Sequence, residues 1–268
     1  MSPKGKDEKA EGSPSDKASK NNRSRTGIEG LDKILAGGIP IGNTVLVTGA
    51  CGTGKTTLSI EFLVSGAAAG ETSVFLAVTE PATRVLENIK TYEFFNPKLV
   101  EDKKLHFIDM GTLYEKLGLD KVEFSYEDIA ALLKGIMDIV KETGAKRLVI
   151  DSITGICFQL KTKEKVRDFV FKLARQLSEA KCTSLLISEI PPGEHSYSTF
   201  GVEDAVADGI IVMGNVEQRG YLLRTLHCVK MRGTTHSRAK YVIDLTPYGI
   251  IIVPLLKSTA YAVQQQQG

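Results

Sequence analysis

Gly49-Ala50-Cys51-Gly52-Thr53-Gly54-Lys55-Thr56 sets two glycines five positions apart and follows the second with Lys and Thr. That spacing is the chemistry of a phosphate cradle. Glycines let successive backbone N–H groups turn into one concavity, and a following helix adds positive potential at its N-terminus. Lys55 would reach the β- and γ-phosphates, and the Thr56 hydroxyl, with Thr57 behind it, would sit at a Mg²⁺ that keeps most of its waters. The expected ligand is a nucleoside triphosphate, ATP with Mg²⁺.

Two carboxylates extend this chemistry. Asp151 ends the apolar run Leu148-Val149-Ile150. It would hold the metal through water or accept from Thr56; a strand-end Asp capping a turn is the plain alternative. Glu80 follows the apolar run 73–78. It could orient or deprotonate a water for attack on the γ-phosphate, and a solvent-exposed loop carboxylate before Pro81 is the alternative.

These groups need a strand before the loop and a helix after it. Val45-Leu46-Val47, between Gly42 and Gly49, reads as a buried strand, and a helix is expected from Lys55 to Ala69. Further strands are expected at 73–78, 105–108, 147–151 and 184–188, and helices at 83–94, 126–142 and 165–180. After these the pattern becomes strand upon strand: 209–213, 221–230, 240–245 and 249–253, with a turn at Pro247-Tyr248-Gly249. Alternating strands and helices imply an α/β fold, a mostly parallel central sheet with helices on both faces; the last strands form an antiparallel extension at one edge.

Composition sets the surroundings. The chain has 268 residues, 42% of them apolar, which suits one sizeable core. Net charge is only +2, so bulk charge points neither to nor away from nucleic acid. Residues 1–24 are polar and basic and read as a disordered tail, 25–257 as one ATPase domain, and 258–268, with its Gln run, as a second loose tail. The tail is a solvated segment or an electrostatic tether. Cys157, Cys182 and Cys228 stand among apolar residues, no CxxC occurs, and no run of about 18 apolar residues is present. A reducing, cytoplasmic setting with no membrane span is expected.

Three segments together resemble the KaiC-like ATPases of the RecA superfamily. Thr26-Gly27-Ile28-Glu29-Gly30-Leu31-Asp32, followed by Gly37-Gly38-Ile39-Pro40, resembles the entry to the phosphate loop in that family. The loop, the strand leading to Glu80, and Asp151 come in family order. Lys230-Met231-Arg232-Gly233-Thr234-Thr235-His236 resembles the family's K-x-R-G-[TS]-x-H segment. The resemblance implies the RecA-like fold of P-loop NTPases and a homo-oligomeric, hexameric ring with ATP between subunits. Lys230 and Arg232 would act on the γ-phosphate of the neighbour, where fixed cations offset developing charge. Thr234 and His236 would lie near ribose or base. One departure stands out: family members carry two successive acidic residues where this chain has Thr79-Glu80, which implies slow hydrolysis.

Three functions are compatible. The first is an oligomeric ATP-hydrolysing switch that changes its grip on a regulatory protein partner. The second is a DNA-associated recombinase paralogue using Pro191–Val202, whose His195, Tyr197 and Phe200 could stack bases; that stretch lacks Lys and Arg, so DNA comes second. The third is a nucleotide-binding module that hardly turns over. Ser198 and Thr199 invite a phosphosite reading, and Glu189 a nucleotide-sensing one.

Overall fold

The computed structural model describes residues 22–119, 123–190 and 196–255. In chain order the elements are β1 (Arg23–Ser24), α1 (Glu29–Ile34), β2 (Ile39–Pro40), β3 (Thr44–Gly49), α2 (Lys55–Ala68), β4 (Ser73–Ala77), α3 (Ala82–Ile89), α4 (Lys98–Glu101), β5 (Leu105–Asp109), α5 (Met110–Leu117), α6 (Tyr126–Thr143), β6 (Arg147–Asp151), α7 (Ile153–Leu160), α8 (Lys163–Glu179), β7 (Thr183–Glu189), α9 (Glu203–Val206), β8 (Gly209–Gln218), β9 (Tyr221–Met231), β10 (Tyr241–Thr246) and β11 (Gly249–Pro254).

All six residues of β3 are buried, so it lies in the middle of the sheet rather than at its rim. The nine-stranded order is β11-β10-β9-β8-β3-β7-β6-β4-β5. Strands β5, β4, β6, β7, β3 and β8 run parallel; β9, β10 and β11 continue as antiparallel neighbours. This is the expected α/β architecture, extension included.

Side-chain alternation divides the core into two layers. Val45, Val47, Phe75, Val149 and Ile187 face α1, α2 and α3. Leu46, Leu76, Leu148, Ile150 and Leu186 face α6, α7 and α8. The helix α6 carries the expected stripe Ile129, Leu132, Leu133, Ile136 and Val140. It opens with a capping box between Ser125 and Asp128 and closes at Gly144 in the left-handed region.

Several sequence expectations need correction. Arg23 and Ser24, expected in the tail, pair with Pro40 and Ile39; residues 1–21 and 256–268 lie outside the described residues. The helix expected over 83–94 ends at Ile89, and the chain then turns through Tyr92 and Phe94, which pack on each other. β8 runs five residues past 213, where it and β9 form an antiparallel ribbon. Helices α5 and α7 occupy stretches where the sequence pattern predicts no element. No helix among the described residues is long and apolar enough to cross a membrane.

Candidate functional site

The loop between β3 and α2 gathers the expected phosphate-binding residues. Gly49 is the last residue of β3, and a Cβ added there would stand 2.0 Å from the Met213 carbonyl oxygen of β8. Only glycine allows that approach. Gly54 caps α2 at φ +97°, in the left-handed region. The hydroxyl of Thr53 donates to the Ala50 carbonyl at 2.9 Å. Cys51 is exposed on the loop, while Cys157, Cys182 and Cys228 are buried.

Lys55 is folded back over this loop. Its Nζ donates to the carbonyls of Gly49 and Ala50 at 2.8 and 2.9 Å. Burial lowers its pKa, while Glu189 and Asp151 oppose the shift. A polyanion in the cradle would offer this ammonium stronger acceptors than neutral carbonyls.

The two residues expected at the metal meet. Thr56 Oγ1 donates to Asp151 Oδ2 at 2.7 Å, joining the first turn of α2 to the end of β6. Burial raises the Asp151 pKa, and the Thr56 bond and Lys55 counter it. A hydroxyl and a carboxylate oxygen side by side are the hard donors that suit Mg²⁺, so the residues present fit that ion.

Glu80 lies just beyond β4. Its carboxylate is half-exposed, 3.9 Å from Arg84 Nε, and close enough to Asp151 to raise that group's pKa. Thr79 is exposed, with its Cγ2 3.4 Å from where a Cβ on Gly155 of α7 would stand. Glu189, the last residue of β7, pairs with Gly49. It is the first electrostatic partner of Lys55, a relationship Glu80 does not have.

Two more residues complete the loop's surroundings: Arg224, which the sequence reading places near the nucleotide interface with Arg219, Arg238 and Lys240, and Leu245, which it leaves unassigned. Arg224 Nε on β9 donates to the Gly52 carbonyl at 3.1 Å. Leu245 on β10 packs at 3.0 Å from where a Gly54 Cβ would be. Neither belongs to a motif; both arrive through the pairing of β9 and β10.

The Lys230–His236 segment stands away from its own loop. Gly49 aligns with Met213, and Met213 with Leu226. Lys230 lies four residues farther along β9, roughly 13 Å at the usual strand rise. Its Nζ donates to the Asp204 carbonyl at 3.0 Å. Arg232 Nη1 is 3.4 Å from Asp208 Oδ1, and its carbonyl accepts from Asn43, just before β3 begins. Thr234 donates to the Leu35 carbonyl at 3.3 Å. His236 Nε2 is buried without a partner. The four residues are therefore not assembled with the chain's own cradle.

The loop expected to meet DNA begins at 191, and residues 191–195 lie outside the described residues. In the described part, Phe200 meets Phe158 edge-on at 5.5 Å and Tyr197 is exposed. Ser198 is buried and donates to Asp204 Oδ1 at 3.1 Å, a poor setting for a phosphate acceptor.

Residues 24–257 match the family model described as ATPase, KaiC. The chain is 37% identical over 235 residues to a UPF0273 protein of Thermotoga maritima, covering 87% of this chain and 96% of the relative. It is 34% identical over 232 residues to the circadian clock oscillator protein KaiC of Nostoc sp., covering 86% of this chain and 44% of that protein. The chain thus spans less than half the length of that clock protein. Among solved structures, a KaiC-like protein from the archaeon Pyrococcus horikoshii aligns with a TM-score of 0.73 at 34% identity, covering 87% of this chain and 99% of the other.

Proposed function

The chain belongs to the KaiC ATPase family, and we propose that it binds Mg-ATP at Gly49–Thr56 and hydrolyses it slowly at a site completed by a neighbouring copy in a hexameric ring. The observation that carries this reading is the position of Lys230 and Arg232. Two fixed cations of the family segment sit at the amino-terminal end of β3, bonded to Asp204 and Asp208. The cradle lies at the other end. That separation from the chain's own cradle supports service to the γ-phosphate of another copy.

Phosphoryl transfer asks little covalent chemistry of a protein and depends on positioning and charge. Backbone N–H groups of residues 50–56 hold the β-phosphate, and Lys55 leaves its two carbonyl acceptors for the β- and γ-oxygens. Thr56 and Asp151 hold Mg²⁺, which when bound neutralises phosphate charge and orients the chain of phosphates. Glu80 accepts a proton from, or orients, the attacking water. Lys230 and Arg232 of the next copy offset charge as the γ-phosphoryl departs, with Thr234 and His236 against the nucleoside.

With threonine at position 79, Glu80 is the one carboxylate of this pair left for the water. Slow turnover follows, and it suits a switch that changes ring geometry and partner affinity with nucleotide state. Light scattering with and without Mg-ATP, read beside phosphate release, tests this. A nucleotide-dependent hexamer whose turnover is lost in Lys55→Ala is expected. A strict monomer under both conditions overturns the shared site.

A further inference from the structure

Glu189 occupies an unusual place in the sheet. Strand β6 ends at Asp151, whose partner on β7 is Ile187. Glu189 is two residues farther on, where β6 has already turned into α7 and can no longer accept its backbone N–H. Thr154, in the first turn of α7, supplies the missing acceptor. Its Oγ1 accepts from Glu189 N at 3.1 Å and lies 3.5 Å from Ser188 Oγ.

The fastening is buried. Thr154 is 3% exposed and Ser188 fully buried, so water cannot replace a lost acceptor. Thr199 donates to the Glu189 carbonyl from the other side, and the next N–H, of Ile190, donates to the Gly49 carbonyl at 3.3 Å. The backbone of Glu189 is therefore gripped from α7, from the 196–202 loop and from the phosphate loop, while its side chain is exposed at a strand end paired with Gly49, the first residue of the cradle.

We propose that Thr154 is a positioning residue of the phosphate site: it extends the β6 ladder by one hydroxyl and so fixes the Glu189 carboxylate relative to Lys55 and Asp151. The inference rests on the hydrolytic reading above. Thr154 touches neither nucleotide nor metal, and it acts through Glu189 alone. It also ties the strand that ends at the metal ligand to the strand that ends at Glu189, so both carboxylates move with α7.

The test is a double-mutant cycle on the full chain. Thr154→Val keeps shape and removes the acceptor; Thr154→Ser keeps the acceptor. With Lys55→Ala defining background, phosphate release in Thr154→Val should fall about 10-fold or more, as misplacement of a charged group beside the phosphate site does. KM for ATP should change little, and Thr154→Ser should restore the rate. In a Glu189→Gln background, Thr154→Val should have no further effect. A normal rate in Thr154→Val, or an equal fall in both backgrounds, overturns the proposal. If the wild type shows no Lys55-dependent turnover, the hydrolytic reading fails separately. The positioning role is then read from the ratio of Mg-ATP to Mg-ADP affinity by calorimetry. Thr154→Val and Glu189→Gln should shift that ratio alike, and a wild-type ratio in Thr154→Val overturns it.

Discussion

Thr56 and Asp151, 95 positions apart in sequence, share a 2.7 Å hydrogen bond where α2 begins and β6 ends. Asp151 is half-buried; burial raises its pKa, and that hydroxyl and Lys55 oppose the shift. The pair sets two oxygens side by side next to the cradle, and under the proposed Mg²⁺ role its loss should be felt through the metal.

Thr56→Val and Asp151→Asn should therefore bind ATP in the presence of a chelator much as the wild type does, yet lose most of the affinity gained with Mg²⁺. Turnover should fall about 100-fold, as for removal of one preorganised electrostatic contact. Calorimetric titration with and without Mg²⁺ checks this. An undiminished Mg²⁺ effect in both variants would remove the metal role.

Glu61, on the outer side of α2, gives a pH signature. Its Oε2 accepts from Ile250 N at 2.9 Å, and Gly249 is seated against its carboxyl. Burial raises its pKa from 4.5 to about 7. The folded chain thus binds this proton more tightly than the unfolded one. Its contribution to stability is fully present below pH 4.5 and is lost as pH rises toward 7. Over that window the wild-type Tm should decline more steeply than that of Glu61→Gln, which keeps an acceptor but does not titrate. Parallel melting curves across the window would contradict the assignment.

Arg147 is the structural counterpart of the site's cations. It is 2% exposed, bonded to Glu71 Oε2 at 2.6 Å and to the carbonyls of Arg25 and Phe62, with its guanidinium over the Phe62 ring. Arg147→Met should cost about 3 kcal/mol in urea unfolding, because it strands two carbonyls and a carboxylate. A loss under about 1 kcal/mol would mean that water reaches these acceptors.

What the sequence conveyed divides along physical lines. Buried strands such as Val45–Val47 and Leu148–Ile150 are continuous apolar runs, and α6 has a clean stripe, so both could be read directly. Helix α7 could not. Ile153-Thr154-Gly155-Ile156-Cys157-Phe158 mixes β-branched residues with glycine and is mostly buried all round, so it lacks polar periodicity. The outer half of β8 was cut short because its residues beyond 213 are half-exposed and apolar alternation fades. At the candidate site, Lys55 and Thr56 are legible from loop spacing, Asp151 from its place at the end of an apolar run, and Arg224 only as one of several basic residues near the nucleotide. Leu245 and Thr154 are not legible, because their relevance depends on strand order and register, which one sequence does not encode locally. The distance of Lys230 from its own loop is likewise a property of β8–β9 pairing.

Subunit mixing tests the shared site most directly. Lys55→Ala should not bind nucleotide but keeps its own Lys230 and Arg232. Arg232→Ala keeps its cradle but cannot serve a neighbour; its turnover should be roughly 1,000-fold below wild type, the scale of a lost arginine finger. Each variant alone should be near background. Mixed and reassembled with Mg-ATP, they should release phosphate well above the sum of the two, because some cradles then face an intact Arg232. A mixture no more active than that sum, in rings shown by light scattering to have exchanged subunits, would contradict a site completed in trans.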